Sequence, residues 1–222
     1  MYQNIFFDIK KMKMHVWDDQ RGHLEIPYRK YAYVKDSNGQ HVSLYGDRLK
    51  RVTQFDKDDP TLHESDVPPM TRFLVDQYTD SDESSVGHRI MFFDIEVEVT
   101  EGFPDVQKAQ NPITSIALYD STTEKYYTYV FDPNKRLKTY TKDDQVVEIY
   151  ETEYEMLNKF FQKYLEIRPT IISGWNSEFF DIPYLYNRAV RILGPEVANL
   201  LSPISQVIYS EYKKKHTIAG VS

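Results

Sequence analysis

Two acidic side chains within one apolar strand are the first residues of this sequence that could do chemistry. Asp94 and Glu96 stand two positions apart in the segment RIMFFDIEVEV. Alternate side chains of a strand point to the same face, and this would be the packed face if Phe93 and Ile95 were the exposed residues. Burying two like charges side by side is costly unless a cation compensates them. The pair fits either a metal site or a strand with an acidic, solvated face.

A third carboxylate comes from a distant segment. In SGWNSEFFDIPYL, Asn176 follows a predicted strand and Asp181 opens the next predicted helix. Taken alone, Asp181 would be a plain helix N-cap. If the two strands are neighbours in one sheet, however, Asp181 approaches Asp94 and Glu96. Three carboxylates with no basic residue nearby in sequence suit hard divalent cations, normally Mg²⁺ or Mn²⁺.

The elements predicted for the second part of the chain would bring these segments together. Three strands are predicted in RIMFFDIEVEV, PITSIALYD and KYYTYVFD, followed by a helix over 154–167, a buried strand TIISGWN and a helix PYLYNRAVRIL that ends at Gly194. Thr152 and Glu155 form a capping box before the first helix, and Pro169 stops it. The apolar face of this helix is predicted to contain Tyr154, Leu157, Phe161 and Leu165. This order is typical of a ribonuclease-H-like fold, in which the fourth strand lies parallel to the first through a right-handed crossover.

The first part of the chain predicts a separate β-rich domain. Short alternating runs rich in aromatic and β-branched residues extend over 4–52. YRKYAYVKD and QHVSLYG flank Asn38 and Gly39, which predicts a hairpin over 28–45. The later stretch TDSDESSVGH has the composition of a linker. The predicted domains are therefore 1–85 and 86–222.

Composition narrows the class of protein. The sequence contains no cysteine, which excludes disulfides, thiolate zinc sites and cysteine nucleophiles. It contains no apolar run of about 18 residues and no signal peptide, so we expect a cytoplasmic protein that does not span a membrane. The net charge of −7 argues against a phosphate-binding surface of lysine and arginine. Cations held by carboxylates would nevertheless supply positive charge that this formal count omits.

The two acidic segments resemble known sequence motifs. FFDIEVE and GWNSEFFDIPYLYNR resemble the first and second exonuclease motifs of family B DNA polymerases, particularly those of tailed bacteriophages. The intervening EGFPDVQKAQNPITSIALYD is similar to the same branch, and PYRKYAYVKDSNGQHVSLYGDRLKRV and TRFLVDQYTDSD resemble its amino-terminal domain. The resemblance implies an α/β protein in which a β-rich amino-terminal domain precedes a ribonuclease-H-like 3′→5′ exonuclease domain. If the source is viral, the expected location is the host cytoplasm.

The resemblance also implies a reaction and a set of site residues. The reaction is a two-metal hydrolysis that removes a mispaired 3′-terminal nucleotide from DNA. The catalytic, metal-binding residues would be Asp94, Glu96 and Asp181. Phe103 matches a position that stacks on the unpaired 3′ end, while Asn176 and Phe180 would shape the substrate pocket. Two alternatives stay open, in which Phe103 fills its loop against the core and Phe180 only packs.

The third exonuclease motif of the family, a tyrosine with an aspartate four positions later, is not found. Tyr212 and His216 have this spacing with histidine in place of aspartate, but SEYKKKH follows the second motif too soon and is predicted to be a solvated hairpin. The terminal TIAGVS resembles the stretch before a further core strand. We therefore expect an exonuclease domain truncated before its last core strand, an incomplete metal site and little activity of the isolated chain.

Three other interpretations stay open at this stage. The remainder of the polymerase could lie on a second polypeptide. The chain could be a non-catalytic nucleic-acid-binding or assembly subunit that contacts single strands through Tyr31, Tyr33 or Tyr45, although aromatic residues in alternating strands more often belong to the core. It could also be a stand-alone exonuclease of the same superfold but of another lineage.

Overall fold

A computed structural model describes residues 1–100 and 102–208 of the chain. The chain divides into two compact units, Met1–His88 and Arg89–Ser222, close to the boundary predicted after residue 85. The predictions for Tyr212, His216 and TIAGVS lie outside the described residues. Within the described ranges, no helix combines the length and the apolar character needed to cross a membrane.

The first unit begins with a three-stranded antiparallel sheet in the order β1-β2-β3. Its strands are β1 (Tyr2–Asp8), β2 (Lys13–Asp18) and β3 (Gly22–Pro27). Met14 and Val16 of the central strand are fully buried in one hydrophobic cluster with Phe73 of helix α1 (Pro69–Tyr78). This cluster is the core of the sheet.

A second, four-stranded sheet follows in the same unit, in the order β5-β6-β4-β7. Its strands are β4 (Ala32–Lys35), β5 (His41–Val42), β6 (Arg48–Val52) and β7 (Leu62–His63). The hairpin predicted over 28–45 is wrong, because β6 lies between β4 and β5 and pairs with both. At Gly39 a Cβ atom would come within 2.3 Å of the Leu49 backbone, so this glycine permits the chain to pass close to β6. It does not form the tight turn of a hairpin.

The second unit is built on a six-stranded mixed sheet in the order β11-β12-β10-β9-β8-β13. Its strands are β8 (Ile90–Val97), β9 (Ile113–Asp120), β10 (Lys125–Phe131), β11 (Tyr140–Lys142), β12 (Gln145–Tyr150) and β13 (Ile171–Ser173). As predicted, the strand in TIISGWN lies parallel to β8. The fold class is also confirmed, with a β-rich first unit followed by a mixed sheet with helices. The hairpin of β11 and β12, which adds a strand parallel to β10, was not predicted.

Helices α2 (Glu153–Ile167), α3 (Asp181–Ile192) and α4 (Pro195–Ala198) accompany this sheet. The predicted capping box of α2 is confirmed, because the Glu155 N–H donates to Thr152 Oγ1 at 3.2 Å. The predicted apolar face is partly wrong, since Tyr154 and Leu165 are 57% and 41% exposed. The buried stripe of α2 consists of Glu153, Met156, Leu157, Phe160, Phe161, Tyr164 and Ile167.

Candidate functional site

The acidic side chains of β8 lie on its exposed face. Phe93 and Ile95 are each only 5% exposed and belong to the core of the second unit, whereas Asp94 and Glu96 are exposed. The condition for a packed acidic face, exposure of Phe93 and Ile95, is therefore not met, and the acidic face of the strand is the exposed one. The apolar side chains gain more free energy by burial than the carboxylates, which would lose their hydration.

Asp181 comes from the second segment and is almost fully buried, at 3% exposure. It is the first residue of α3, and its Oδ1 accepts a hydrogen bond from the Ile95 N–H at 3.1 Å. Ile95 stands between Asp94 and Glu96, so this bond brings the third carboxylate to the strand that carries the other two. The alternative that Asp181 is a plain N-cap is wrong, because Phe180 occupies that position and no side chain caps the helix.

The path of the chain after β13 explains how Asp181 reaches β8. The pairing of β13 with β8 ends where Ser173 lies opposite Phe92. At the next residue, Gly174, an added Cβ would lie 2.4 Å from the Phe93 carbonyl oxygen, so only glycine fits this approach to β8. Beyond this point the Asp181 carboxylate, rather than another strand residue, accepts the hydrogen bond from Ile95.

Asn176 shapes the turn between β13 and α3 through its backbone. Its φ of 56° is in the left-handed region, which asparagine tolerates better than most residues. Its carbonyl oxygen accepts hydrogen bonds from the Phe179 and Phe180 N–H groups at 3.0 and 3.1 Å. The side chain of Asn176 is exposed.

The electrostatics of the cluster favour a cation. Burial raises the pKa of Asp181 above its usual range, and the negative charges of Asp94 and Glu96 raise it further, while the Ile95 N–H opposes this shift. Within the described residues, none of the three carboxylates forms an ion pair with a basic side chain. The cluster is open, because the three carboxylates do not place an oxygen atom each within 4.8 Å of one another. An oxygen-only set of anionic ligands fits a hard divalent cation.

Aromatic side chains lie beside the acidic cluster. The ring of Phe103 is 5.1 Å from the ring of Phe180, which in turn lies 5.4 Å from that of Tyr184. Phe103 is 81% exposed, so the alternative that it fills its loop against the core is wrong. Phe180 is partly buried and packs against the core, as its alternative proposed.

Two further aromatic residues of the turn were missed in the sequence. Trp175 is 93% exposed and Phe179 is 53% exposed, although both are large and apolar. Their signal was visible, since four aromatic residues within GWNSEFFDIPY exceed what a short connection between a strand and a helix needs for packing. Both belong to the turn between β13 and α3, the helix that Asp181 opens.

A buried ion pair anchors the loop that carries Phe103, and it too was missed. Arg188 donates to both carboxylate oxygens of Glu153, at 2.8 and 2.5 Å, and to the carbonyl oxygens of Ala109 and Gln110 at 3.1 and 2.7 Å. Glu153 Oε1 also accepts from the Ile113 N–H at 2.8 Å. The end of the loop before β9 is thus tied to both α2 and α3.

The fold and the acidic cluster agree with one class of protein, the exonuclease domains of DNA polymerases. The family model described as "DNA polymerase family B, exonuclease domain" matches residues 74–219, more than half of the chain. The chain belongs to this family.

Several curated DNA polymerases are similar to the chain. The DNA-directed DNA polymerase of Escherichia phage RB69 is 32% identical in an alignment of 136 residues that covers 52% of this chain and 15% of that protein. That of Enterobacteria phage T4 is 33% identical over 157 residues, covering 57% of this chain and 17% of that protein. DNA polymerase 1 of Saccharolobus solfataricus is 30% identical over 193 residues, covering 86% of this chain and 19% of that protein. The chain thus spans less than a fifth of the length of these relatives.

Proposed function

We propose that this chain is the proofreading portion of a DNA polymerase and contributes to the 3′→5′ removal of mispaired nucleotides from DNA. The observation that carries this proposal is the hydrogen bond between Asp181 Oδ1 and the Ile95 N–H, which joins the carboxylates of two distant segments. The family and the similarity to named DNA polymerases support it.

In this proposal Asp94, Glu96 and Asp181 hold two divalent cations, Mg²⁺ or Mn²⁺. When bound, such cations activate a water molecule and offset the charge of the scissile phosphate. The role of Asp94 and Glu96 is to offer exposed carboxylates that can turn toward a cation. Asp181 supplies a fixed ligand, because its other oxygen is already bound to β8.

The aromatic side chains would bind the 3′ end of the strand. Phe103 is exposed and supported from one side by Phe180, so its free face can stack on an unpaired base. Stacking does not discriminate between bases, which suits an enzyme that must remove any mispaired nucleotide. Asn176 and Phe180 would form the wall of the pocket next to Asp181.

A purely binding role through the first unit has less support. Tyr31 is buried, donates to Asp76 at 2.7 Å, and lies with its ring 3.6 Å from the guanidinium of Arg51. It therefore offers no face to a base. Of the other two tyrosines considered, Tyr45 is 93% exposed and Tyr33 is half-buried. These two remain candidates for stacking on a base. None of the similarities points to a second polypeptide, and the proposal does not include one.

The first test is Mn²⁺ binding by the 222-residue chain, measured by calorimetry. We expect binding that Asp94→Ala abolishes and that Glu98→Gln preserves, because Glu98 is an exposed carboxylate that follows the end of β8 and is not one of the proposed ligands. Equal binding by the wild type and Asp94→Ala would exclude the site.

The second test is hydrolysis of single-stranded DNA. The third exonuclease motif, with its aspartate, is not found in the sequence, so we expect little activity from this chain alone. Rapid Mg²⁺-dependent degradation that is lost in Asp94→Ala would overturn the expectation of low activity while supporting the nuclease site.

A further inference from the structure

One face of the first three-stranded sheet carries polar and aromatic side chains instead of a core. His15 of β2 lies opposite Glu25 of β3, and Trp17 lies opposite His23, so these four side chains share a face. The other face of β2 presents the core residues. This polar face takes no part in the proposed nuclease function, which belongs to the second unit.

Two histidines on this face are in direct contact. His15 Nδ1 lies 3.0 Å from His23 Nε2, and the two rings are nearly parallel, with an interplanar angle of 10°. Glu25 completes the group, because one ligand atom from each of His15, His23 and Glu25 lies within 4.8 Å of the others. The ring of Trp17 stacks on His23 at 4.7 Å and restricts its orientation.

His15 is prepared to act as a ligand. It is only 3% exposed, and its Nδ1 faces His23 Nε2, so Nδ1 is the nitrogen that would bind the cation. Burial lowers the pKa of His15. Among the described residues, His23 alone is hydrogen-bonded to this imidazole, and a cation would replace that contact.

We propose that His15, His23 and Glu25 form a second metal site, specific for Zn²⁺ or a similar late first-row divalent cation. Two imidazoles and one carboxylate are a ligand set that Zn²⁺ accepts, with a further position left for water or another ligand. Two nitrogens bound tetrahedrally to Zn²⁺ lie about 3.3 Å apart, so the histidines would separate by only about 0.3 Å. Mg²⁺ prefers oxygen ligands and would not bind here.

Lys13 competes with the cation in this arrangement. Its Nζ lies 2.8 Å from Glu25 Oε2, and this contact is the main cause of the lowered pKa of Glu25. Glu25 is therefore ionised, but one of its oxygens is engaged. Replacing Lys13 with methionine would free that oxygen and remove a positive charge next to the site.

The test is calorimetric titration of the full chain with Zn²⁺ after removal of metals with a chelator. It is done in an Asp94→Asn, Asp181→Asn background, so that the nuclease carboxylates do not contribute and failure of either proposal can be recognised separately. We expect one Zn²⁺ per chain, with affinity reduced at least about tenfold by His23→Gln or Glu25→Gln, since each removes a ligand. Lys13→Met should bind at least as tightly as its parent.

The matched control is His41→Gln, which changes an exposed histidine of the same unit outside this cluster. It should bind Zn²⁺ like its parent. His23 and Glu25 are both exposed, so their variants are expected to fold, and circular dichroism verifies this. The proposal is overturned if no stoichiometric binding occurs, or if His23→Gln and His41→Gln bind Zn²⁺ equally well.

Discussion

At the scale of single residues, Asp181 shows a conflict between stability and the proposed chemistry. Its carboxylate is buried beside the charges of Asp94 and Glu96, and both effects raise its pKa. Because the pKa of Asp181 is higher in the folded state, protonation of Asp181 favours folding. This stabilisation is fully present below the unfolded-state pKa. This contribution is lost as the pH rises through the folded-state value. Above the folded-state pKa the ionised Asp181 therefore destabilises the metal-free chain.

We predict that Asp181→Asn stabilises the metal-free chain near neutral pH. The amide oxygen can still accept from Ile95, while the buried charge is removed. The gain should be on the order of 1 kcal/mol, or about 2–4 °C in Tm for a chain of this size. Thermal unfolding with a chelator present should show the gain at neutral pH and its loss in acid.

One control variant tests whether the rise in Tm is specific to Asp181. Glu98→Gln, which changes an exposed carboxylate, should leave Tm unchanged. A lower Tm of Asp181→Asn at neutral pH would contradict the unfavourable charge assigned to Asp181.

Gly174 allows the chain to approach β8 closely, and a larger residue there should disturb both stability and the candidate site. A Cβ at Gly174 would lie 2.4 Å from the Phe93 carbonyl oxygen, and one at Gly39 would lie 2.3 Å from the Leu49 backbone. Each change to alanine should cost about 1–3 kcal/mol through overpacking, measured by denaturant unfolding. Only Gly174→Ala should also weaken Mn²⁺ binding, since Gly39 belongs to the other unit. Equal loss of Mn²⁺ binding in both variants would argue against the role given to the Gly174 approach.

At the scale of elements, the pair of Arg188 and Glu153 joins α3 to the start of α2 and to the loop before β9. The four hydrogen bonds that Arg188 donates are buried or nearly so. The side chains of Arg188 and Glu153 are each less than 10% exposed. Removing one partner of a buried ion pair leaves the other charge uncompensated. The stability of the loop that carries Phe103 therefore depends on this pair.

We predict that Arg188→Met destabilises the chain by about 3–5 kcal/mol, the cost typical of a broken buried pair. Arg191→Met is the control, since Arg191 is exposed and makes a single 3.3 Å contact with the Lys108 carbonyl oxygen. Its effect should stay within about 0.5 kcal/mol. Urea unfolding of both variants measures the difference, and similar values for the two would refute the anchoring role.

The elements also show which predictions a sequence supports. The capping box of α2 depends on neighbours three residues apart, and it was predicted correctly. The hairpin over 28–45 failed because a local Asn-Gly signal cannot reveal that β6, later in the chain, inserts between β4 and β5. The hairpin of β11 and β12 was missed because β11 has only three residues, and the turn between the strands contains two charged residues instead of glycine.

The candidate site was partly predictable, because some of its features follow from the order of elements and others depend on contacts between distant residues. The parallel pairing of β13 and β8 follows from the order of elements, and it places Asp181 near β8. The sequence did not show which face of β8 is buried, because both faces carry a phenylalanine. Phe92, which shares its face with Asp94, is 49% exposed. The bond from the Ile95 N–H to Asp181 was not predicted, since a contact between residues 86 positions apart in sequence has no local signature.

At the scale of the whole molecule, the two units have separate hydrophobic clusters and separate candidate sites. A ligand stabilises the structure it binds, by about 2.7 kcal/mol when its concentration is 100 times Kd. We predict that excess Mn²⁺ slows amide hydrogen exchange in β8 and α3 and leaves β1, β2 and β3 unchanged. Mass spectrometry of the exchanged chain measures this, and Asp181→Asn should remove the protection. Slower exchange in the first sheet that persists in His23→Gln, which removes a ligand of the site proposed there, would show that the units do not respond separately.

The chain contains two tryptophans, and they fall in different units. Trp17 stacks on the His23 ring, where a protonated or copper-loaded imidazole would quench its emission. Trp175 is 93% exposed in the turn between β13 and α3, so it should emit at the long wavelengths of a solvated indole and should be accessible to iodide. With either tryptophan changed to phenylalanine, the intrinsic fluorescence of the other reports on one unit at a time, without an added label.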